Sequence, residues 1–311
     1  MNNDQRASSA DWRLEVPPEF AAGVEGHAGE SGVAWLKALP DLARELVSRW
    51  ELTLDGDVMH GFLGVVVPVR RGPDAYALKV SRPSAEVDNQ VVSLAAWQGR
   101  GMVELVSVEP EHGALLLERL DAGRSLDDVP LDEAVQAAAL VLRRLAVPGV
   151  DGLPTLAEHV ASWPERWLTE WQNLGRPLPR RLLDAAIETC RALAPGAGRL
   201  LVDHDLHFRN ILAGQREPWL AIDPRGVLGD AEFALPPLIW NRFVGEHEVP
   251  ERFDRFTEVA ELDRDRAKGW LLAVVMDYFL WSTGAGLTWD PAACRIIADW
   301  IVGSPVTAAG D

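Results

Sequence analysis

Two hairpin patterns lying close together early in the chain constrain its fold more than any other feature of the sequence. The first is GFLGVVVPVR, then RGPD, then AYALKVSRP: β-branched and apolar runs on either side of a Gly-Pro-Asp turn, the pattern of two paired strands. The second is LVSVEPEHGALLLERL, with its turn at Pro110 to Gly113. Between them SAEVDNQVVSLAAWQGR reads as a helix, and ahead of them Trp35, Leu36, Leu39, Leu42, Leu46 and Trp50 recur at helical spacing.

After DAGRSLDDVP the texture changes. DEAVQAAALVLRRLAV and RRLLDAAIETCRALA have helical periodicity and are separated by a Trp-rich stretch, ASWPERWLTEWQNL. WLAIDPRGVLGD reads as a short strand ending in a loop, and the tail from Glu251 to Val302 is again helical. No internal repeat or low-complexity linker breaks the chain. The patterns predict an α+β chain with a β-rich N-terminal lobe at residues 31–119 and a helical C-terminal lobe at residues 120–311. An arm at residues 1–30, rich in Ala, Gly, Ser and Glu, is predicted to have little regular structure.

The chain has 311 residues, a length for one large or two coupled domains. Its net charge of -17 argues against gripping nucleic acid or an anionic membrane by bulk electrostatics. The same field favours cationic small molecules, although solubility alone would account for it. The two cysteines, Cys190 and Cys294, lack CxxC spacing, which points to a reduced intracellular protein. The start, MNNDQRASSADWRLE, has no signal-peptide pattern, and no apolar run has the length of a membrane span. A cytoplasmic protein is the expectation, with no oligomeric state implied.

The segment DHDLHFRNIL, Asp203 to Leu212, concentrates polar chemistry in front of an apolar run. Phosphoryl transfer needs a group to orient the acceptor hydroxyl, ligands for Mg²⁺ and a cation on the phosphates. In a kinase catalytic loop an Asp takes the hydroxyl proton and an Asn five positions later binds metal, the spacing of Asp205 and Asn210. Asp223, closing the strand WLAI, supplies a second oxygen ligand of the kind Mg²⁺ prefers. Lys79, in the strand AYALKV, is the candidate phosphate cation. A lone lysine in a strand is ordinarily the solvent-facing member of an alternating pattern, and only the company of the other three raises it above that.

A zinc or iron site at His204 and His207 is the rival reading of the segment, but no HExxH occurs and the other histidines are scattered. No GxxxxGK[ST] loop appears, and Gly284 to Gly286 reads as a helix stop. Nothing resembling an APE segment follows Asp223, which argues against a protein kinase.

The phrases VDHDLHFRNIL, PWLAIDPRGVLGD and LLLERLDAGRSLDDVP, together with VVPVRR, AYALKV and LAAWQGRGMVEL, resemble the aminoglycoside/hydroxyurea antibiotic-resistance kinases, a group that includes the streptomycin 6-phosphotransferases. The resemblance runs from RLEVPPEF to the DWIV tail. It implies a two-lobed protein-kinase-like fold and transfer of the ATP γ-phosphoryl group to a hydroxyl of a small, cationic, antibiotic-like molecule, such as streptomycin, or to hydroxyurea. By motif position it implies Asp205 as base, Asn210 and Asp223 as Mg²⁺ ligands and Lys79 on the phosphates. It makes Leu116 to Leu120, including Glu118 and Leu120, the adenine-binding hinge, and puts Arg225, where relatives usually carry lysine, near phosphates or substrate.

Three departures accompany the resemblance. Relatives typically read HGDLH where this chain has Asp203 and His204 in place of His and Gly. A glycine lost beside the base shifts the loop if that position needs positive φ, and Asp203 adds charge that raises the pKa of its pair with Asp205. Ala234 stands where relatives tend to carry an Asp that helps to hold the catalytic loop. The helix partner of Lys79 is either Glu86 or Gln90. These departures motivate an alternative, a catalytically weak relative binding nucleotide or a metabolite as sensor or scaffold. For a cationic acceptor the candidate receivers are Glu246, Glu248 and Asp277, of which Asp277 interrupts the apolar helical run VVMDYFLW.

Overall fold

The computed structural model describes residues 12–62 and 64–303. The chain divides into two compact units, one formed by the residues up to Gly99 with Val103–Leu120, the other by Arg100–Met102 and the residues from Asp121 onward.

The first unit opens with α1 (Pro18–Arg49), followed by β1 (Thr53–Leu54), β2 (Met59–His60), β3 (Gly64–Arg71), β4 (Asp74–Ser81), α2 (Ala85–Trp97), β5 (Leu105–Glu109) and β6 (Ala114–Glu118). Its antiparallel sheet has the order β1-β3-β4-β6-β5, with β2 paired to β3. Alternation along the strands decides which face is buried. Val65, Val67, Val69, Leu78, Val80 and Leu116 form one core cluster with Leu39, Ala43, Leu46 and Val47 of α1. In the β5–β6 turn Gly113 has φ +62°, and a Cβ there would lie 2.0 Å from the Ser81 carbonyl oxygen, so no other residue fits without displacement.

The predicted N-terminal arm is corrected for the part the structure describes; residues 1–11 lie outside it. Pro18 begins a helix, interrupted at Gly29 (φ 53°, ψ -139°), rather than an irregular arm. The Gly content that lowers intrinsic propensity is overridden by docking. Phe20 is buried and meets Trp35 edge-on, with ring centroids 6.0 Å apart.

The second unit holds β7 (Asp121–Ser125), α3 (Leu131–Leu145), β8 (Val147–Pro148), α4 (Leu156–Val160), α5 (Trp163–Asn173), α6 (Arg180–Leu193), β9 (Leu200–Asp203), β10 (Ile211–Ala213), β11 (Trp219–Ala221), β12 (Gly226–Gly229), α7 (Pro236–Trp240), α8 (Glu248–Val259), α9 (Arg264–Gly284) and α10 (Trp289–Gly303). Two three-stranded antiparallel sheets, β11-β10-β7 and β12-β9-β8, carry the polar loops, and helices supply most of the core. α9 packs against α6 and α10, burying Trp270, Leu271, Ala273 and Met276. The Trp-rich stretch is itself the helix α5, with Trp163, Trp167 and Trp171 on its buried side. DAGRS, without a strand pattern of its own, pairs with β10 as β7. Both cysteines are free and buried. Among the described residues no helix is long and apolar enough to cross a membrane.

Candidate active site

Two antiparallel pairs in the second unit place the residues of the polar segment. β10 pairs with β11 in the register Ile211↔Ala221, and the Ile222 N–H continues the ladder by donating to the Asn210 carbonyl at 2.8 Å. Asn210 therefore enters the hairpin beside the point where the chain leaves it for Asp223. β9 pairs with β12 in the register Asp203↔Gly226, and the His204 N–H donates to the Arg225 carbonyl at 3.1 Å. The loop between β9 and β10 carries Asp205, whose carbonyl accepts the Asn210 Nδ2 at 3.3 Å. Asp205, Asn210, Asp223 and Arg225 thus come together at the ends of two short ladders. The Arg225 Nε lies 3.4 Å from the Asp205 Oδ2.

The electrostatics follow from burial. Asp203 is almost wholly buried; desolvation pushes its carboxyl up to about 7, despite two backbone N–H donors that pull it down, while Asp205 and Asp223 add to the rise. Asp205 is raised as well, chiefly by burial and further by Asp223, against the lowering effect of Arg225 and His207. The sequence attributes the rise to mutual charge; burial is the larger cause at both residues. Asp223 has φ 53°, in the left-handed region that Asp tolerates better than most residues.

His204, standing where relatives have glycine, is not among the described residues with positive φ. The loop therefore has no need of glycine at that position, and the backbone shift raised by its loss does not arise. Its ring packs on His159 at 4.7 Å and Phe233 at 6.3 Å between centroids. Among the described residues no group of three ligating side chains that could share an ion forms at this loop. Burial, the neighbouring His159 and the Arg225 charge depress the His204 pKa to about 3. The native imidazole stays neutral, whereas the unfolded chain takes up a proton below about pH 6.5, so acid favours unfolding from there down to about pH 3. His204→Asn is expected to flatten the fall in stability between about pH 7 and about pH 5, by up to about 1.4 kcal/mol per pH unit, in denaturant melts.

Other groups hold the frame. Asp230 is buried and accepts hydrogen bonds from the Trp270 Nε1 at 2.7 Å, the Gly198 N–H at 2.8 Å and the Arg266 guanidinium. The Glu232 Oε1 accepts the Asp263 N–H at 2.8 Å. Ala234 itself is buried at the end of the turn that Asp230 opens.

A cavity of about 420 Å³ opens beside Asp205, lined among others by Trp163, His204, Phe233, Trp240, Asp277 and Tyr278. Trp240 and Tyr278 stack at 4.9 Å with 10° between planes, and Trp281 continues the stack at 5.4 Å. Asp277 lines this cavity but is already engaged: its Oδ1 accepts the Trp167 Nε1 at 2.7 Å and pairs with Arg166. Glu246 and Glu248 are not part of the lining; Glu246 is exposed and Glu248 pairs with Arg252 at 2.7 Å.

In the first unit Lys79 is buried on β4, between Val66 of β3 and Leu115 of β6, instead of facing solvent. Its Nζ donates to the Gln90 Oε1 of α2 at 3.1 Å. Glu86 lies a turn earlier, where its carboxylate accepts the Ser84 hydroxyl at 3.1 Å, so Gln90 is the helix residue that meets the lysine. Glu118, at the end of β6, donates its N–H to the Glu104 carbonyl at 2.9 Å, and Leu120 is the last residue of this unit.

The sequence pattern misses the aromatic wall and the anchors Asp230 and His159. The wall's one trace in the sequence is the chain's 13 tryptophans.

The family model for aminoglycoside/hydroxyurea antibiotic resistance kinases matches residues 49–286. The chain is 38% identical over 294 residues to a streptomycin 6-kinase of Streptomyces glaucescens, covering 91% of this chain and 96% of the relative. It is also 38% identical over 296 residues to a hydroxyurea phosphotransferase of Kitasatospora aureofaciens, covering 93% of this chain and 86% of that one. Among solved structures it is similar to a thermostable mutant of the aminoglycoside phosphotransferase APH(4)-Ia in complex with ADP and hygromycin B, with a TM-score of 0.58 at 17% identity over 86% of this chain and 99% of that one. The choline kinase LicA from Streptococcus pneumoniae gives a TM-score of 0.54 at 12% identity over 86% of this chain and 99% of that one. The fold is the two-lobed protein-kinase-like one.

Proposed function

The chain belongs to the aminoglycoside/hydroxyurea antibiotic resistance kinase family, and from that premise we propose that it moves the γ-phosphoryl group of ATP to a hydroxyl of a small cationic antibiotic-like molecule. What supports the reading most is the convergence of Asp205, Asn210 and Asp223 on two ladders beside a cavity of small-molecule size.

In this reading Asp205 accepts the proton of the acceptor hydroxyl as the oxygen attacks phosphorus. Burial raises its carboxyl above the ordinary carboxylate range, which strengthens it as a base, while Arg225 favours the ionised form. Mg²⁺ would be held by Asp223 and the Asn210 amide oxygen. The donor set fits a hard cation, and Asn210 spends its Nδ2 on the Asp205 carbonyl, leaving the oxygen as the ligating end. Such an ion neutralises charge on the phosphates. Lys79, held by Gln90, supplies a further cation to them, and the backbone of Leu116 to Leu120, at Glu118 and Leu120, receives the adenine. Arg225 then serves both the base and the phosphates. The first unit takes the nucleotide and the second carries transfer and acceptor binding. Reduced, buried cysteines and the use of ATP fit a cytoplasmic enzyme.

The indole of Trp240, which lines the cavity, suits an ammonium or guanidinium group by cation–π attraction, with Asp205 adding negative charge. Trp240→Ala is expected to raise the acceptor KM about tenfold with a smaller change in kcat. An unchanged KM removes the wall from acceptor binding.

The test is incubation of the protein with ATP, Mg²⁺ and, separately, streptomycin, hygromycin B and hydroxyurea, followed by mass spectrometry of the small molecule. Gain of one phosphoryl group supports the reading. Nucleotide binding without transfer to any hydroxylated amine would favour the sensor or scaffold instead.

A further inference from the structure

We infer that Asp203 is a positioning residue for phosphoryl transfer: through one carboxylate oxygen it ties the backbone carrying Asp205 to the backbone that follows Asp223. The inference rests on the reading of Asp205 as base and Asp223 as metal ligand, and it adds a residue which that reading does not use.

The Asp203 Oδ1 accepts the Asp205 N–H at 3.1 Å and the Arg225 N–H at 3.0 Å. The Arg225 contact spans 22 residues of sequence and joins the end of β9 to the start of β12. From the other side, the His204 N–H donates to the Arg225 carbonyl, so the two strands are pinned by consecutive residues. Asp203 is almost wholly buried, yet its Oδ2 has no hydrogen-bond partner. All the hydrogen bonding of this side chain therefore goes to the two amides. The charges that act on it are those of Asp205 and Asp223, and no cation is among them. A buried carboxyl without a counter-charge is costly, and its retention needs a task. The task its geometry performs is to fix the spacing of the base loop and the Asp223 turn.

A merely structural buried acid would matter for stability alone. A positioning acid matters for kcat, because a displacement of the base by about 1 Å costs on the order of a hundredfold in rate. The acceptor atom, rather than the charge, does the tying, so Asn, which presents the same oxygen without ionising, should substitute for Asp.

The experiment compares Asp203→Ala, Asp203→Leu and Asp203→Asn with the wild-type chain. It reads kcat and KM for ATP and acceptor, thermal unfolding, and hydrogen exchange at the Asp205 and Arg225 amides. Ala is expected to lower kcat about a hundredfold with KM for ATP changed by less than about threefold, and to expose both amides to exchange. Leu, which fills the volume without an acceptor, is expected to do the same and stands in where Ala fails to fold. Asn is expected to keep kcat within about threefold and both amides protected. Wild-type kcat in a folded Ala or Leu variant overturns the inference, as does an Asn variant as impaired as Ala. Asp205→Asn is run alongside: if it turns over normally the base assignment fails, while amide exchange in the Asp203 variants still decides whether the tie exists.

Discussion

Asp205→Ala is expected to lower phosphoryl transfer by about 10²–10⁴-fold while leaving ATP affinity within a factor of about three. Asp205 sits on the loop between β9 and β10, in a cavity wall and within reach of Arg225, rather than among the groups assigned to the nucleotide. On the proposed reading its loss removes the proton acceptor but leaves Lys79, the Leu116 to Leu120 backbone, Asn210 and Asp223 in place. A general base acts in the transition state, so kcat falls and nucleotide binding does not. Asp205→Asn sharpens the result, since it keeps shape and volume and removes only the basicity. Turnover by either variant at the wild-type rate would sink the base assignment; a parallel loss of ATP affinity would show that the loop had collapsed.

The legible part of this protein is the part whose chemistry fixes a spacing. On the proposed reading, Asp205 and Asn210 are five positions apart because one loop would present a base and a ligand to the same group, and Asp223 follows because the strand after the hairpin brings the chain back. Such patterns survive in one dimension. Strand alternation in GVVVPVR and AYALKV is legible for the same reason, since burial of one face writes itself into every second residue. What depends on partners distant in sequence is not legible. β7 has four exposed residues and no apolar alternation, and it is a strand because β10 lies beside it. The first turns of α1 look irregular from composition and become helical because Phe20 finds Trp35. Gln90 and Glu86 are one helical turn apart, a difference smaller than the uncertainty of a helix register read from sequence.

The front of the loop shows the same limit in sharper form. Asp203 and His204 look like defects in a motif when only the motif is in view. In the fold, His204 packs at a tilt against His159, a residue from a helix far earlier in the chain, and Asp203 holds two amides. A substitution at a motif position is therefore to be judged by the contacts it makes and not by its distance from a consensus.

The acids of the site set up a second large effect, one with opposite signs for activity and stability. Burial and mutual repulsion raise Asp203 and Asp205, and Asp223 contributes to both rises. Removing the charge of Asp223 relieves that repulsion, whereas its shape must be kept, because φ 53° is a conformation few side chains tolerate. Asn meets the backbone requirement as well as Asp does and carries no charge. Asp223→Asn is expected to lower transfer by about 10²–10³-fold, the scale of losing one electrostatic contact to the reacting group. Without added cation its melting temperature should match or exceed that of the wild-type chain, as when an active site held at a cost in stability is relaxed. The ligand reading adds a third observable. Mg²⁺ with ATP should raise the wild-type melting temperature by mass action, and much of that rise should disappear in Asp223→Asn. If the variant keeps both its activity and its full response to Mg²⁺, Asp223 is not the metal ligand. If it loses activity and also melts well below the wild-type chain, the acid serves the fold, and the charge cluster is not the strain that burial and repulsion imply.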